Sequence, residues 1–300
     1  MPSKKDIKTR IRAIENTQKV TKSMKLIAII KLKQVQNAFN ATKPFTNQLA
    51  NLLIKTVSRI DLTELDQDKL PKLVKPPLDN SSVCLVVVSS DRGLCGPYNA
   101  QLFKSLSLRI KQLKSEGKKI KLVLLGNKVI SFANRFYKDC EVIKKFSQIP
   151  VFPPKSLVDE IYSSLEDGYS NGDFGKVEIF YSNFISMIKS SPSQIALIPF
   201  KLESQTGHSE LEESNREILF EPHPETILNA LVPLYCKNQL HQAMLSGRAS
   251  ELSNRVNAMT SATDNAKALI TDLKLTFNKA RQAAITQEIS EIVAGAESVN

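Results

Sequence analysis

From Ser3 to about Arg59 the chain has no glycine and one interior proline, Pro44; after Pro233 it has no proline, and its only glycines are Gly247 and Gly295. Helix-breaking residues are thus nearly missing from both ends, which excludes a fold of short strands and tight turns there. No apolar run approaches the length of a membrane span. The four cysteines (Cys84, Cys95, Cys140, Cys236) form no CxxC or Cys/His grouping. Reduced thiols are therefore expected, not a disulfide frame or a zinc site. Neither GxGxxG nor GxxxxGK[ST] occurs, and no Ser/His/Asp set is visible. The N-terminal Met1-Pro-Ser-Lys-Lys-Asp has no apolar signal core, so no targeting segment is expected unless a presequence has been removed.

What is present is mostly helical at the ends. In a chain of 300 residues, 42% apolar and 24% charged, a globular protein of one or two domains is expected. Toward the C-terminus, apolar or small residues recur at alternating steps of four and three: Leu252, Val256, Met259, Ala266, Ile270, Leu273, Phe277, Ala280 and Ala284, broken only by Thr263. A heptad seam held this long reads as coiled coil. The helix would be roughly 100 Å long at ~1.5 Å per residue, far more than a compact domain needs, so it requires a partner helix. The N-terminal stretch supplies one, with Ile7, Ile11, Ile14, then Val20, Met24, Ile27, then Val35, Phe39, Leu49, Leu53 and Val57 at helical spacing. The two ends would pair antiparallel. The rival arrangement, an ordinary helical bundle, suits the middle of the chain poorly.

Charge is distributed unevenly. Residues 1–60 hold 13 Lys/Arg against two acids, Asp6 and Glu15; with 41 Lys/Arg and 30 Asp/Glu in all, the remainder carries 28 of each. All the excess positive charge lies on the first helix, which favours an acidic partner surface, an anionic lipid or a nucleic acid. Aromatics for base stacking are nearly absent there, only Phe39 and Phe45. Lys19, Lys22 and Lys25 step by three beside Met24, a cationic face whose exposed pairs are each worth about 0.2–1 kcal/mol.

The middle alternates strand and helix signals. Val83–Ser89, Lys121–Leu125, Glu141–Phe146, Lys176–Ser182 and Gln194–Phe200 read as strands, and about Tyr98–Ser115, a segment opening at Gly126-Asn127, and Lys155–Ser170 as helices. The expected fold class is α/β: an antiparallel coiled coil of the N- and C-terminal helices with an inserted, Rossmann-like α/β domain. The expected segments are an N-terminal helix over 1–60, a polar connector over 61–80, the α/β domain over 81–202, a surface excursion with seven glutamates over 203–225, and the C-terminal helix over 226–300.

The best candidate for a ligand site is the turn Asp91-Arg92-Gly93-Leu94-Cys95-Gly96, placed between strand and helix where nucleotide-binding folds hold phosphate. It lacks the glycine spacing and the lysine of those cradles, and a structural turn is the stronger reading. Cys95 could be a nucleophile at a helix start, but no histidine stands near it in sequence. His208, His223 and His241 lie outside the strands, the first two in the acidic excursion. No catalytic residue, metal site or cofactor is expected. A coiled-coil nucleic-acid-binding protein and an α/β enzyme using Asp91 and Cys95 are the rival functional readings.

Four segments together resemble the gamma subunit of F-type ATP synthases: Ile11–Ala28 (IRAIENTQKVTKSMKLIA), Ser90–Asn99 (SDRGLCGPYN), Ser250–Met259 (SELSNRVNAM) and Phe277–Ala296 (FNKARQAAITQEISEIVAGA). The resemblance spans essentially the whole chain in order. It implies a non-catalytic, central-stalk rotor without cofactor, turning inside three alpha and three beta subunits. It also implies contacts to an epsilon/delta-type stalk subunit and the membrane c-subunit ring, with no nucleic-acid partner and with the membrane reached only through the complex. Proton-driven rotation would be coupled to ATP synthesis on the beta subunits, and ATPase activity regulated. The implied location is peripheral, on the inner face of an energy-transducing membrane. Lys19, Lys22, Met24 and Lys25 would face acidic beta-subunit loops, and Arg281 and Gln282 a beta-subunit catch loop. Photosynthetic relatives carry an insertion before the last helix, with a regulatory cysteine pair in plastid forms. Residues 201–225 contain no cysteine and look too short, so no thiol switch is expected.

Overall fold

The computed structural model describes residues 4–58, 73, 77, 80–199 and 223–297. Most of the proposed connector, residues 203–222 of the acidic excursion, and His208 lie outside these. The elements in order are α1 (Lys4–Ser58), β1 (Ser82–Val88), α2 (Tyr98–Ser115), β2 (Lys119–Leu125), α3 (Asn127–Phe136), β3 (Glu141–Phe146), α4 (Lys155–Ser170), β4 (Lys176–Phe184), β5 (Ser190–Ile198) and α5 (Pro224–Glu297). Two compact units result: residues 1–30 with 255–300, and residues 31–254.

In the larger unit the sheet order is β3-β2-β1-β4-β5. The first four strands are parallel and β5 is antiparallel to β4. β1 is buried along its whole length, as a central strand covered on both faces must be. Its side chains alternate between two cores. Val83, Leu85 and Val87 meet Leu102, Leu106, Ile110 and Leu113 of α2 and Val129 of α3. Cys84, Val86 and Val88 share the opposite core with Ile161 and Leu165 of α4, Leu49 and Leu53 of α1, and Leu228, Val232 and Leu240 of α5. The antiparallel edge strand follows from its connection: the short Ile185–Lys189 turn after β4 permits a hairpin but no crossover helix. One buried polar cluster crosses the α2 face. Glu178 of β4, fully buried, accepts from Arg109 (Nη2–Oε1, 2.7 Å), from Lys176 (2.6 Å) and from Gln194 (2.6 Å). Burial alone raises its pKa; the hydrogen bonds and charges of Arg109 and Lys176 outweigh that and hold it below the usual carboxylate range.

In the smaller unit α1 and α5 run antiparallel. Thr21 and Thr263 join hydroxyls at 2.9 Å, and Lys274 reaches Glu15 at 3.6 Å. The break that Thr263 makes in the apolar row is therefore met by a second threonine. On α1 the inward series is Ile7, Ile11, Ile14, Gln18, Thr21, Lys25 and Ala28, all buried or half-buried in strict four-three steps. Val20 and Ile27, read from the sequence as inward, are 58% and 54% exposed. The register set by the three isoleucines runs on through polar residues instead of shifting to the next apolar ones.

Candidate functional site

The strand–helix turn after β1 folds back on itself. Ser90 is buried and donates its hydroxyl to the Arg92 carbonyl (2.8 Å), while Asn99 donates its amide to Ser90 Oγ (2.7 Å) and to Cys95 Sγ (3.2 Å). Cys95 is buried within this net, which removes it as an accessible nucleophile. Leu94 and Gly96 take positive φ (61° and 55°) to close the turn, and Gly93 lies beside the Lys128 side chain.

Asp91 ties this turn to two segments far along the chain. Its Oδ1 accepts the N–H groups of Asn127 (3.1 Å) and Gln148 (2.9 Å), and its Oδ2 that of Ile149 (3.0 Å). The first of these N–H groups opens α3, so the carboxylate sits at the N-terminus of that helix, where a negative charge is favoured. Gly126, at φ 103°, allows the close approach: a Cβ there would lie 2.6 Å from the Ser89 carbonyl oxygen.

The remaining candidates lie along the terminal helices. Leu252, Val256, Met259, Ala266 and Ile270 are buried, whereas Leu273, Phe277, Ala280 and Ala284 are half-buried. Lys19 and Lys22 are exposed, Met24 and Lys25 half-buried, and Arg281 and Gln282 exposed. Counting from the Thr21–Thr263 pair, the first residues of α1 come level with about Ala280. α5 continues to Glu297, and on that extension Ile285, Ile289, Ile292 and Val293 are 46–71% exposed. Their spacing of four, three and one places them along one side of the helix. On α1, Val20, Leu26, Ile27 and Ile30 are likewise exposed among the lysines. Sequence reasoning missed both apolar surfaces, although the heptad count from Ile7 already leaves Val20 and Ile27 outside the seam. Among the described residues there is no cluster of metal-binding side chains, and no helix is long and apolar enough to cross a membrane.

Residues 3–299 match the family model described as ATP synthase. The ATP synthase gamma chain of Picosynechococcus sp. is 37% identical over the full length of both chains, and that of Gloeothece citriformis is also 37% identical over both full lengths. The chain belongs to the ATP synthase gamma family. Its alignment to the Picosynechococcus gamma chain runs over 322 positions against 300 residues here, so about 22 positions of that relative have no counterpart. Solved structures agree on the gamma fold. A chain of the Tetrahymena thermophila mitochondrial ATP synthase central stalk and c-ring superposes with a TM-score of 0.57 at 21% identity, covering 81% of this chain and 99% of that one. A chain of the Euglena gracilis mitochondrial ATP synthase gives 0.64 at 14% identity, covering 99% and 94%. Within this gamma fold, long terminal helices flank a mixed five-stranded sheet.

Proposed function

We propose that the chain is the gamma, central-stalk subunit of a proton-translocating F-type ATP synthase, part of an enzyme complex and itself non-catalytic. It couples rotation of a membrane c-subunit ring to ATP synthesis on the beta subunits and takes part in regulating ATPase activity. The observation that carries this reading, beside full-length family membership, is the helix α5 running past the start of α1 with an open apolar stripe. A helix that leaves Ile285, Ile289, Ile292 and Val293 in water is stable only when a surrounding protein covers them. Three alpha and three beta subunits arranged as a ring supply that cover. An epsilon/delta-type subunit and the c-subunit ring engage the α/β body, and the chain reaches the membrane only through the complex, at the inner face of an energy-transducing membrane.

The cationic face of α1 fits the same reading. Its lysines are interleaved with aliphatic Val20, Ile27 and Ile30 rather than aromatics, a surface for an acidic protein loop and not for stacked bases. Lys19, Lys22, Met24 and Lys25 meet acidic beta-subunit loops in this proposal. Arg281 and Gln282 offer a planar guanidinium and an amide to a facing loop just where the coil ends. Asp91 to Gly96 is internal bracing, without a ligand. Reconstitution tests the reading: mixed with alpha and beta subunits, the chain should assemble and restore ATP hydrolysis, and with the membrane sector it should restore ATP-driven proton uptake. Failure to assemble, together with salt-sensitive duplex binding, would replace the rotor by a nucleic-acid protein.

A further inference from the structure

Three consecutive residues of α5 face three different elements of the α/β body. Ser246 accepts the Phe184 N–H at 2.9 Å and donates to Asn183 Oδ1 at 3.2 Å, both on β4. Gly247 lies over β1, where a Cβ would come within 3.2 Å of Val88 Cγ1. Arg248 turns to the loop before α4, its Nη2 donating to the carbonyls of Ile149 and Pro150 and its Nη1 to Glu251 at 2.6 Å. The same flank is held again at helical spacing: Ser250 donates to the Ser182 carbonyl of β4 (2.9 Å), Ser253 to the Met187 carbonyl in the turn after it, and Asn254 to Ser190 Oγ of β5 (2.9 Å). The loop held by Arg248 is held from behind by Asp91, which takes the Gln148 and Ile149 N–H groups and keeps Gln148 at a φ of 54°.

Consecutive helical residues point about 100° apart, so these bonds grasp α5 on two flanks with Gly247 between them. The distinction matters mechanically. Apolar attraction has no direction of its own, so it sets the turn of a helix about its axis only through the fit of interdigitated side chains. Hydrogen bonds, with their distance and angle requirements, resist that turn. Residues 246–254 also begin where α5 still packs on the sheet and lead into the part of the helix that forms the coil.

We propose that residues 246–254 of α5 are the grip through which the α/β body transmits torque to the shaft helix. Arg248, backed by Asp91, is the positioning residue on one flank, and Ser246, Ser250 and Ser253 are those on the other. This rests on the rotor reading. In the assembled complex in vesicles, the parent chain, Arg248→Lys and the pair variant Arg248→Met with Glu251→Gln are compared. The pair variant removes both charges of the Arg248–Glu251 ion pair together. Hydrolysis rate and protons taken up per ATP are read as the pH gradient builds. The pair variant should assemble and hydrolyse ATP at close to the parental rate, yet pump about threefold to tenfold less per ATP under load. Arg248→Lys, which can still donate to one carbonyl, should fall between. Equal pumping per ATP under load overturns the grip. So does a proportional loss of hydrolysis and pumping with a lowered melting temperature of the isolated chain, which marks stability alone. If the parent itself fails to restore pumping, the rotor reading is what fails.

Discussion

The two units bury apolar surface in opposite ways. In residues 31–254 both faces of the sheet are covered and even Glu178 is sealed with partners, so the core is closed by the chain itself. In residues 1–30 with 255–300 the seam is narrow, is interrupted by Thr21 and Thr263, and fades to half-burial from Leu273 onward. There the large aliphatic side chains face outward as often as inward. A closed core stabilises one structure; an open one leaves surface for a surrounding partner to use.

Substitutions can break or sharpen that contrast, and the largest effect on unfolding belongs to the closed unit. Phe180→Ala, at a fully buried position of β4, should cost about 3–5 kcal/mol in denaturant unfolding. A value near zero would mean that the sheet core is not closed.

Glu178→Gln should cost about 3 kcal/mol or somewhat more near neutral pH, because Arg109 and Lys176 lose their charged partner. The pH dependence has a definite sign. The carboxyl is held below its unfolded value of about 4.3, so its contribution is complete above that pH and is lost as pH falls through the lower folded value. Unfolding midpoints measured down to about pH 2 should therefore drop more steeply in the parent than in Glu178→Gln. Parallel curves would remove Glu178 from the acid response.

Phe277→Ala provides the counterpart in the open unit. A fully buried phenylalanine there would cost as much as Phe180, but half-burial reduces the expected loss to about 1 kcal/mol. A cost matching that of Phe180→Ala would show that the coil is sealed in the isolated chain after all.

Replacing Lys19 and Lys22 together by glutamate, with the inward Lys25 left in place, should change the melting temperature and the helix content little, since both are exposed. ATP-driven pumping in reconstituted vesicles should fall severalfold. Unchanged pumping would detach this face from the beta-subunit contact.

The smallest change in stability is expected for Arg281→Ala with Gln282→Ala, because both side chains are exposed. ATPase of the assembled head should nevertheless fall severalfold, from lost charge-assisted hydrogen bonds to the facing loop. Normal turnover, or a strongly destabilised isolated chain, would exclude the pair from the contact between rotor and ring.

Much of this organisation is legible from residue spacing. The missing glycines and prolines, the four-three rows and the strand–helix alternation all express local periodicities, and a period can be counted without knowing any partner. The one local misreading was on α1, where apolar character drew the seam to Val20 and Ile27 although the heptad count leads to Gln18, Thr21 and Lys25. Hydrophobicity and register disagree there because the outward apolar residues serve a surface outside this chain in the proposed function.

By itself, the sequence determined two long terminal helices, an excess of positive charge on the first, an α/β insert, and membership of the gamma family. Each is written in neighbours within a few turns or in whole-length similarity. Only the tertiary structure decided that Asp91 ties the turn after β1 to the start of α3 and to the loop before α4, that Glu178 carries three donors, and that Arg248 grasps the loop before α4. Asp91 meets Gln148 across 57 residues and Arg248 meets Ile149 across 99. No periodicity reaches over such separations; those partners are chosen when strand order and helix packing bring distant backbone groups to within hydrogen-bond distance.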